Sequence, residues 1–312
     1  MKTLYQIKPV YKAALWGGQQ LINKYGYQTE LVNIGECYNV IAIPDHLDCE
    51  VEETGEKLSE FFINNRDLFG CDTAMMPVRA AMACTKEPMS VQIHPSDEYA
   101  LAHEGKLGKP DGVYVISGAG SVCFGHQAKS LSEFKDLVER AAWDDLLCYV
   151  EVKAGDFLDM PHGTLHALGA NMVYIEFSQN ADLTYRLYDY GRESLDPRTG
   201  KRRELHKQQV YDCVNIPDGD RKVSELITEE VDGCLLTMFH HEPQVYSCGK
   251  IELESQGYYQ RPQFYFLTCI EGSGVINDTK IKAGMTLFVP CDFGRIRISG
   301  KLTMTYLTYV EA

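Results

Sequence analysis

The sequence predicts a mostly β protein in which a duplicated strand unit builds two jelly-roll barrels, with a few short helices beside them. Three observations lead there. Most of the 312 residues fall in short β-rich runs separated by Gly, Pro, Asn and Asp, the punctuation of a sandwich or barrel. An internal echo joins "VISGAGSV" (115–122) and "VKAGDFLDMPHGTLH" (152–166) to "CIEGSGVI" (269–276) and "IKAGMTLFVPCDFGR" (281–295). Two stretches, "GEKLSEFFINNRDLFG" (55–70) and "SLSEFKDLVERAAWDDLLCYV" (130–150), carry apolar residues at helical spacing, with Ser130 or Ser132 as cap of the second and Glu133 in its first turn.

In each copy of the repeat a strand runs into a Gly-rich hairpin, and a later Lys-Ala-Gly turn leads through apolar residues to a Pro-containing corner. Duplication of such a unit is what a two-barrel jelly roll produces. The expected division is a barrel within residues 1–240, with helical inserts near 55–70 and 130–150, and a second barrel over 241–312. The copies differ five residues beyond their prolines: His166 follows Pro161, whereas Arg295 follows Pro290. The first unit therefore has a metal-ligating side chain at that corner, and the second reads as a metal-free structural partner.

Composition narrows the function. A formal net charge of −14, from 30 Lys and Arg against 44 Asp and Glu, argues against a nucleic-acid partner, which needs clustered cations. It leaves room for a small anion held in a local basic pocket. The sequence lacks the roughly 20-residue apolar run of a membrane helix, and its start has no signal-peptide pattern, so a cytoplasmic protein with no membrane partner is expected. The eleven cysteines are scattered without a CxxC pair and read as reduced thiols.

The chemistry concentrates in "MSVQIHPSDEYA" (89–100). On a strand, Ser90, Gln92 and His94 share one face while Val91 and Ile93 share the other. A strand histidine is ordinarily a hydrogen-bonded core or edge residue. Convergence of Gln92, His94 and His166 inside one barrel would instead make the polar face half of a metal cup, with two imidazoles and harder oxygen ligands suited to a zinc-type ion. His103, His126, His206, His240 and His241 receive no role from periodicity and read as solvated.

At this point the chain resembles type I phosphomannose isomerase, the zinc-dependent mannose-6-phosphate isomerase family of the cupin superfamily, in its short bacterial form. The likeness runs through "KPVYKAALWGG" (8–18), "MSVQIHP" (89–95), "LGKPDGVYV" (107–115), "PHGTLHALG" (161–169), "IEFSQNADLTYRLYDYGR" (175–192) and "RELH" (203–206), in the family's order and approximate spacing. It implies two cupin-type barrels, one zinc ion per chain and interconversion of mannose 6-phosphate and fructose 6-phosphate through an enediol. The implied metal ligands are Gln92, His94 and His166, with Asp111 where the family has Glu and His162, in place of a family Ala, as an alternative fourth ligand.

The resemblance also implies Arg186 as the catalytic arginine, Glu176 as an active-site carboxylate, and Lys109 and Ser90 in the sugar-phosphate pocket. The family lysine on the strand before Gln-x-His is replaced by Ala81, and Arg79, two residues earlier on the same face, is expected to restore a positive charge toward substrate. With these departures, and Val113 in place of the motif's Trp, a relative that binds or senses a sugar phosphate is the competing expectation, as is an isomerase for another sugar. An iron-dependent oxygenase is disfavoured, since that chemistry calls for two His and a carboxylate without the Gln. A small-molecule sugar phosphate is the expected partner, and a monomer or weak homodimer the expected state.

Overall fold

The computed structural model describes residues 3–193, 195–196, 199–218 and 221–311. The chain is mostly antiparallel β structure, arranged chiefly in three sheets. A six-stranded sheet has the order Phe157–Met160, Asp111–Ser117, Met172–Gln179, Val78–Thr85, Glu36–Val40, Val10–Lys12. A five-stranded sheet runs Leu147–Lys153, Ala119–His126, His166–Ala167, Val91–Ile93, Tyr185–Tyr188. These two supply the candidate site. Among the described residues the strands of these two sheets form open paths that do not close on themselves.

The remaining ten-stranded sheet is built around the long pair Tyr265–Ile276 and Ile296–Thr308. It also takes in Tyr5–Lys8, paired to Thr286–Val289, and Glu50–Val51. Strand Cys234–Glu242 crosses residue 240 and pairs with Ile227–Val231 on one side and Tyr246–Leu253 on the other. Apolar faces of the six- and ten-stranded sheets meet in one core, where Phe177 and Tyr114 pack with Phe239 and Tyr246.

The sequence echo is a repeat of backbone hydrogen bonds. In the first copy Ala154 N donates to Gly118 O at 3.0 Å and Gly155 N to Val115 O at 2.9 Å; in the second, Ala283 N donates to Gly272 O at 2.9 Å and Gly284 N to Cys269 O at 2.8 Å. All four glycines have positive φ, which a side-chain-bearing residue adopts only with strain. Beyond the corner the copies part: Arg295 lies near the surface, paired with Asp232 at 2.9 Å.

The helical expectations hold only in part. Residues 55–70 contain helices Leu58–Asn64 and Arg66–Phe69, ended by Gly70 at φ +57°. The second stretch forms Leu131–Glu139, capped by Ser130 Oγ accepting from Glu133 N, and a short turn Trp143–Leu146. Residues 147–150, expected to be helical, are instead strand. Ala141, at φ +53°, interrupts the helix, and Leu147–Lys153 gains an antiparallel ladder with Ala119–His126, broken once between Cys123 and His126. Long-range pairing overrides apolar spacing there. Among the described residues no helix is long and apolar enough to cross a membrane, and all eleven cysteines are free thiols.

Candidate metal centre and pocket

The strand around Gln92 has the two faces read from its sequence. Val91 and Ile93 are fully buried in an apolar cluster, while Ser90 Oγ donates to Gln92 Oε1 at 3.3 Å on the other face. Gln92 pairs in register with His166 on one side and Arg186 on the other, so backbone pairing alone brings three distant segments together. Across from them, Asp111 begins the strand Asp111–Ser117 of the six-stranded sheet.

Ligand atoms of His94, Asp111 and His166 lie within 4.8 Å of one another, and all three residues are buried. His94 Nδ1 lies 2.7 Å from Leu183 O, and His166 Nδ1 lies 2.9 Å from Thr164 O. A carbonyl only accepts, so each Nδ1 carries the proton and each Nε2 keeps its lone pair for the cup. His94 Nε2 is 3.1 Å from Asp111 Oδ2 without the geometry of a hydrogen bond, and Asp111 Oδ1 is buried with no hydrogen-bond partner. Buried polar atoms left this way are expensive unless something else satisfies them, and a divalent cation bound there would do so.

The electrostatics agree with that fit. Burial, followed by the Lys109 charge, pushes His94 down to about 4, and burial likewise lowers His166, so both imidazoles are neutral as ligation requires. Burial pushes the Asp111 carboxyl up, but Lys109, His94 and Arg79 together outweigh it and hold it well below the usual carboxylate range.

Beside the cup lies a pocket whose walls include Gln92, Lys109, Glu176 and Arg186, with Lys12, Glu36, Asp182 and Arg203 around them. Charges alternate across the six-stranded sheet from its edge to the cup. Lys12 Nζ is 3.0 Å from Glu36 Oε2; Arg79 Nη2 is 3.3 Å from both Glu36 Oε1 and Glu176 Oε2; Lys109 Nζ is 3.6 Å from Glu176 Oε2 and 2.8 Å from Asp111 Oδ2. Asp182 Oδ2 adds a second carboxylate 3.5 Å from Lys12 Nζ. Burial raises the pKa of Glu176, with Asp111 and Glu36 adding to the shift and Lys109 and Arg79 opposing it.

Gln92, His94, Asp111, His166, Lys109, Glu176 and Arg186 thus come together, while Ser90 sits behind Gln92. Arg79 is fully buried and is not part of the pocket wall. His162 lines a separate cleft with Tyr99, His103 and Cys213, away from the cup. Three histidines read as solvated are not. His126 is buried with Nε2 2.9 Å from Asn215 O, His206 Nδ1 accepts from Arg186 N at 3.1 Å, and His240 stacks on Tyr246 with Nδ1 3.2 Å from Asp159. Sequence reading gave no role to Glu36, Asp182 or Lys12. Lys12 and Asp182 sit inside the quoted 8–18 and 175–192 motifs, whereas Glu36 carries no spacing signal and is placed by strand pairing.

Fold and site together define a class: an antiparallel β protein with a buried cup of metal-ligating type opening toward a charged small-molecule pocket. The chain matches no protein-family model. It is 34% identical over 305 residues, 94% of this chain and 95% of the relative, to mannose-6-phosphate isomerase ManA of Bacillus subtilis. It is 36% identical over 207 residues, 65% of each chain, to mannose-6-phosphate isomerase of Streptococcus mutans. A crystal structure of the Bacillus subtilis mannose 6-phosphate isomerase superposes with a TM-score of 0.92 at 30% identity, over 98% of this chain and 99% of that one. A zinc-bound mannose 6-phosphate isomerase shares the fold at 13% identity, with a TM-score of 0.78 over 99% of this chain and 100% of that one. The chain belongs to the mannose-6-phosphate isomerase family.

Proposed function

We propose that this protein interconverts mannose 6-phosphate and fructose 6-phosphate through an enediol, with one zinc ion per chain held by His94, Asp111 and His166 and by Gln92 as a further ligand. The observation that carries this reading is the buried donor triad within 4.8 Å, set against a pocket lined by Lys109, Glu176 and Arg186. When bound, the ion supplies a Lewis acid for the sugar's carbonyl and hydroxyl oxygens.

The chain's own residues carry the proton and the charge. Glu176 takes the proton from the carbon beside the carbonyl and returns it to the neighbouring carbon, while the hydroxyl proton passes between the two oxygens of the enediol, so that both transfers together turn aldose into ketose. Its raised pKa suits both halves of the exchange, since the protonated form is easier to reach than for an exposed carboxylate. Arg186 is permanently cationic and offsets the negative charge that builds on the enediolate oxygens. Lys109 adds a second cation at the pocket wall. Ser90 steadies the Gln92 side-chain amide through its 3.3 Å hydrogen bond, so its contribution to substrate binding is indirect.

For the architecture, we read the sheets as two cupin-type jelly-roll units, supported by the hydrogen-bonded turn repeated at 118/155 and 272/284. The function is tested by a coupled assay for fructose 6-phosphate formed from mannose 6-phosphate, on zinc-loaded and chelator-stripped protein. Turnover that follows the metal supports the reading. A folded, zinc-loaded sample that binds the sugar phosphate without converting it overturns the isomerase in favour of a binding protein.

A further inference from the structure

We infer that Arg79 is a positioning residue for Glu176 and does not touch substrate. Its side chain is fully buried, and Glu36 and Glu176 line the pocket in its place. Arg79 Nη1 donates to Glu176 Oε2 at 3.4 Å and to Ser178 Oγ at 3.3 Å, and Nη2 donates to Glu176 Oε2 and Glu36 Oε1, both at 3.3 Å. The guanidinium also lies over the Tyr38 ring, 5.0 Å from its centroid. A planar fork held on two strands and a ring has little freedom, and both its nitrogens converge on one oxygen of Glu176, which fixes the rotation of that carboxylate.

Ala81 makes this possible. It pairs in register with Glu176 on one side and Tyr38 on the other, and its methyl group leaves space beneath the two for the guanidinium reaching from Arg79. The partly buried Glu36 and the buried Glu176 are bridged by this guanidinium, and without it their mutual repulsion would increase. The orientation of Glu176 is therefore held from within the sheet by Arg79, with Lys109 Nζ 3.6 Å from the same oxygen.

This inference rests on the isomerase reading, and its test separates the two. Steady-state kinetics with mannose 6-phosphate, zinc content and Tm are measured for Arg79→Met, Arg79→Lys and Ser178→Ala. Displacing a catalytic group by about 1 Å can cost on the order of 100-fold, so Arg79→Met is expected to lower kcat by about that factor with KM and zinc content nearly unchanged. Arg79→Lys, which keeps the charge and loses the fork, is expected to recover part of kcat, and Ser178→Ala to lose a smaller part. A rise in KM at unchanged kcat would instead show direct substrate contact, and a lower Tm with unaltered kinetics would show a purely structural role; either overturns the inference. Should Arg79→Met fail to fold, wild-type kcat in both Arg79→Lys and Ser178→Ala does so. If the wild type binds zinc but does not isomerise, that reading fails, and a crystal structure of Arg79→Lys decides: a displaced Glu176 carboxylate supports positioning and an unmoved one refutes it.

Discussion

His94 Nε2 and Asp111 Oδ2 approach to 3.1 Å, His94 from the end of one sheet's strand and Asp111 from another sheet, without forming a hydrogen bond. His94 hangs at the end of the Gln92 strand, and Asp111 opens the strand that pairs with Met172–Gln179. The shorter carboxylate of Asp111 therefore reaches the cup, and it is held there by Lys109 at 2.8 Å.

Asp111→Asn removes the charge while keeping the shape. Losses of about 10–100-fold in metal affinity are typical for groups that only support a ligand, so loss of a ligand charge should reach at least the upper end of that range. Zinc affinity by chelator competition measures it. An affinity within a few-fold of wild type would remove Asp111 from the ligand set.

Arg186 lines the pocket and pairs in register with Gln92, but it lies outside the donor triad. Arg186→Ala is accordingly expected to lower turnover by about 10²–10³, as for loss of a group that stabilises developing oxyanion charge. Metal content, measured on the same samples, should stay near one equivalent. Equal turnover in the variant ends the proposed role.

Acid should destabilise the metal-free protein through His94. Its pKa falls from 6.5 to about 4 on folding, so the neutral form is the one the native state favours. That contribution is full above pH 6.5 and is lost as pH falls through the window from 6.5 to about 4, on the order of 3 kcal/mol in all. Denaturant midpoints of stripped wild type and His94→Gln, compared at pH 7 and pH 5, should converge at the lower pH. Parallel curves would mean that His94 does not carry the effect.

The repeated turns rest on glycine. At Gly272, φ is +77° and an added Cβ would meet Lys301 O at 2.1 Å, whereas at Gly26, φ is +67° with open space around it. Gly26→Ala should cost about 1 kcal/mol for the backbone conformation alone. Gly272→Ala should cost several times more, because the Ile296–Thr308 strand backbone has to move. Thermal or denaturant unfolding of the two variants checks the ordering, and equal losses would refute it.

Much of the site was legible because its signals are local. Alternation about Gln92 placed Ser90 and His94 on one face, and the Lys-Ala-Gly echo marked both turns before any strand pairing was known. Periodicity failed where a long-range ladder competed with it, as at residues 147–150. It also could not tell a solvated histidine from His126, whose partner Asn215 lies 89 residues away in the chain.

By itself, then, the sequence determined the β-rich class, the duplicated turn and the short motifs that carry the buried histidines of the cup, since backbone conformation and face alternation depend on neighbouring residues. Only the tertiary structure decided that Asp111 and not His162 faces the cup, that Glu36, Asp182 and Lys12 join the charge array, and that Arg79 lies beneath Glu176. Those outcomes depend on strand register and burial, which bring together residues as far apart in the chain as Lys12 and Asp182, and spacing along a chain carries no information about either.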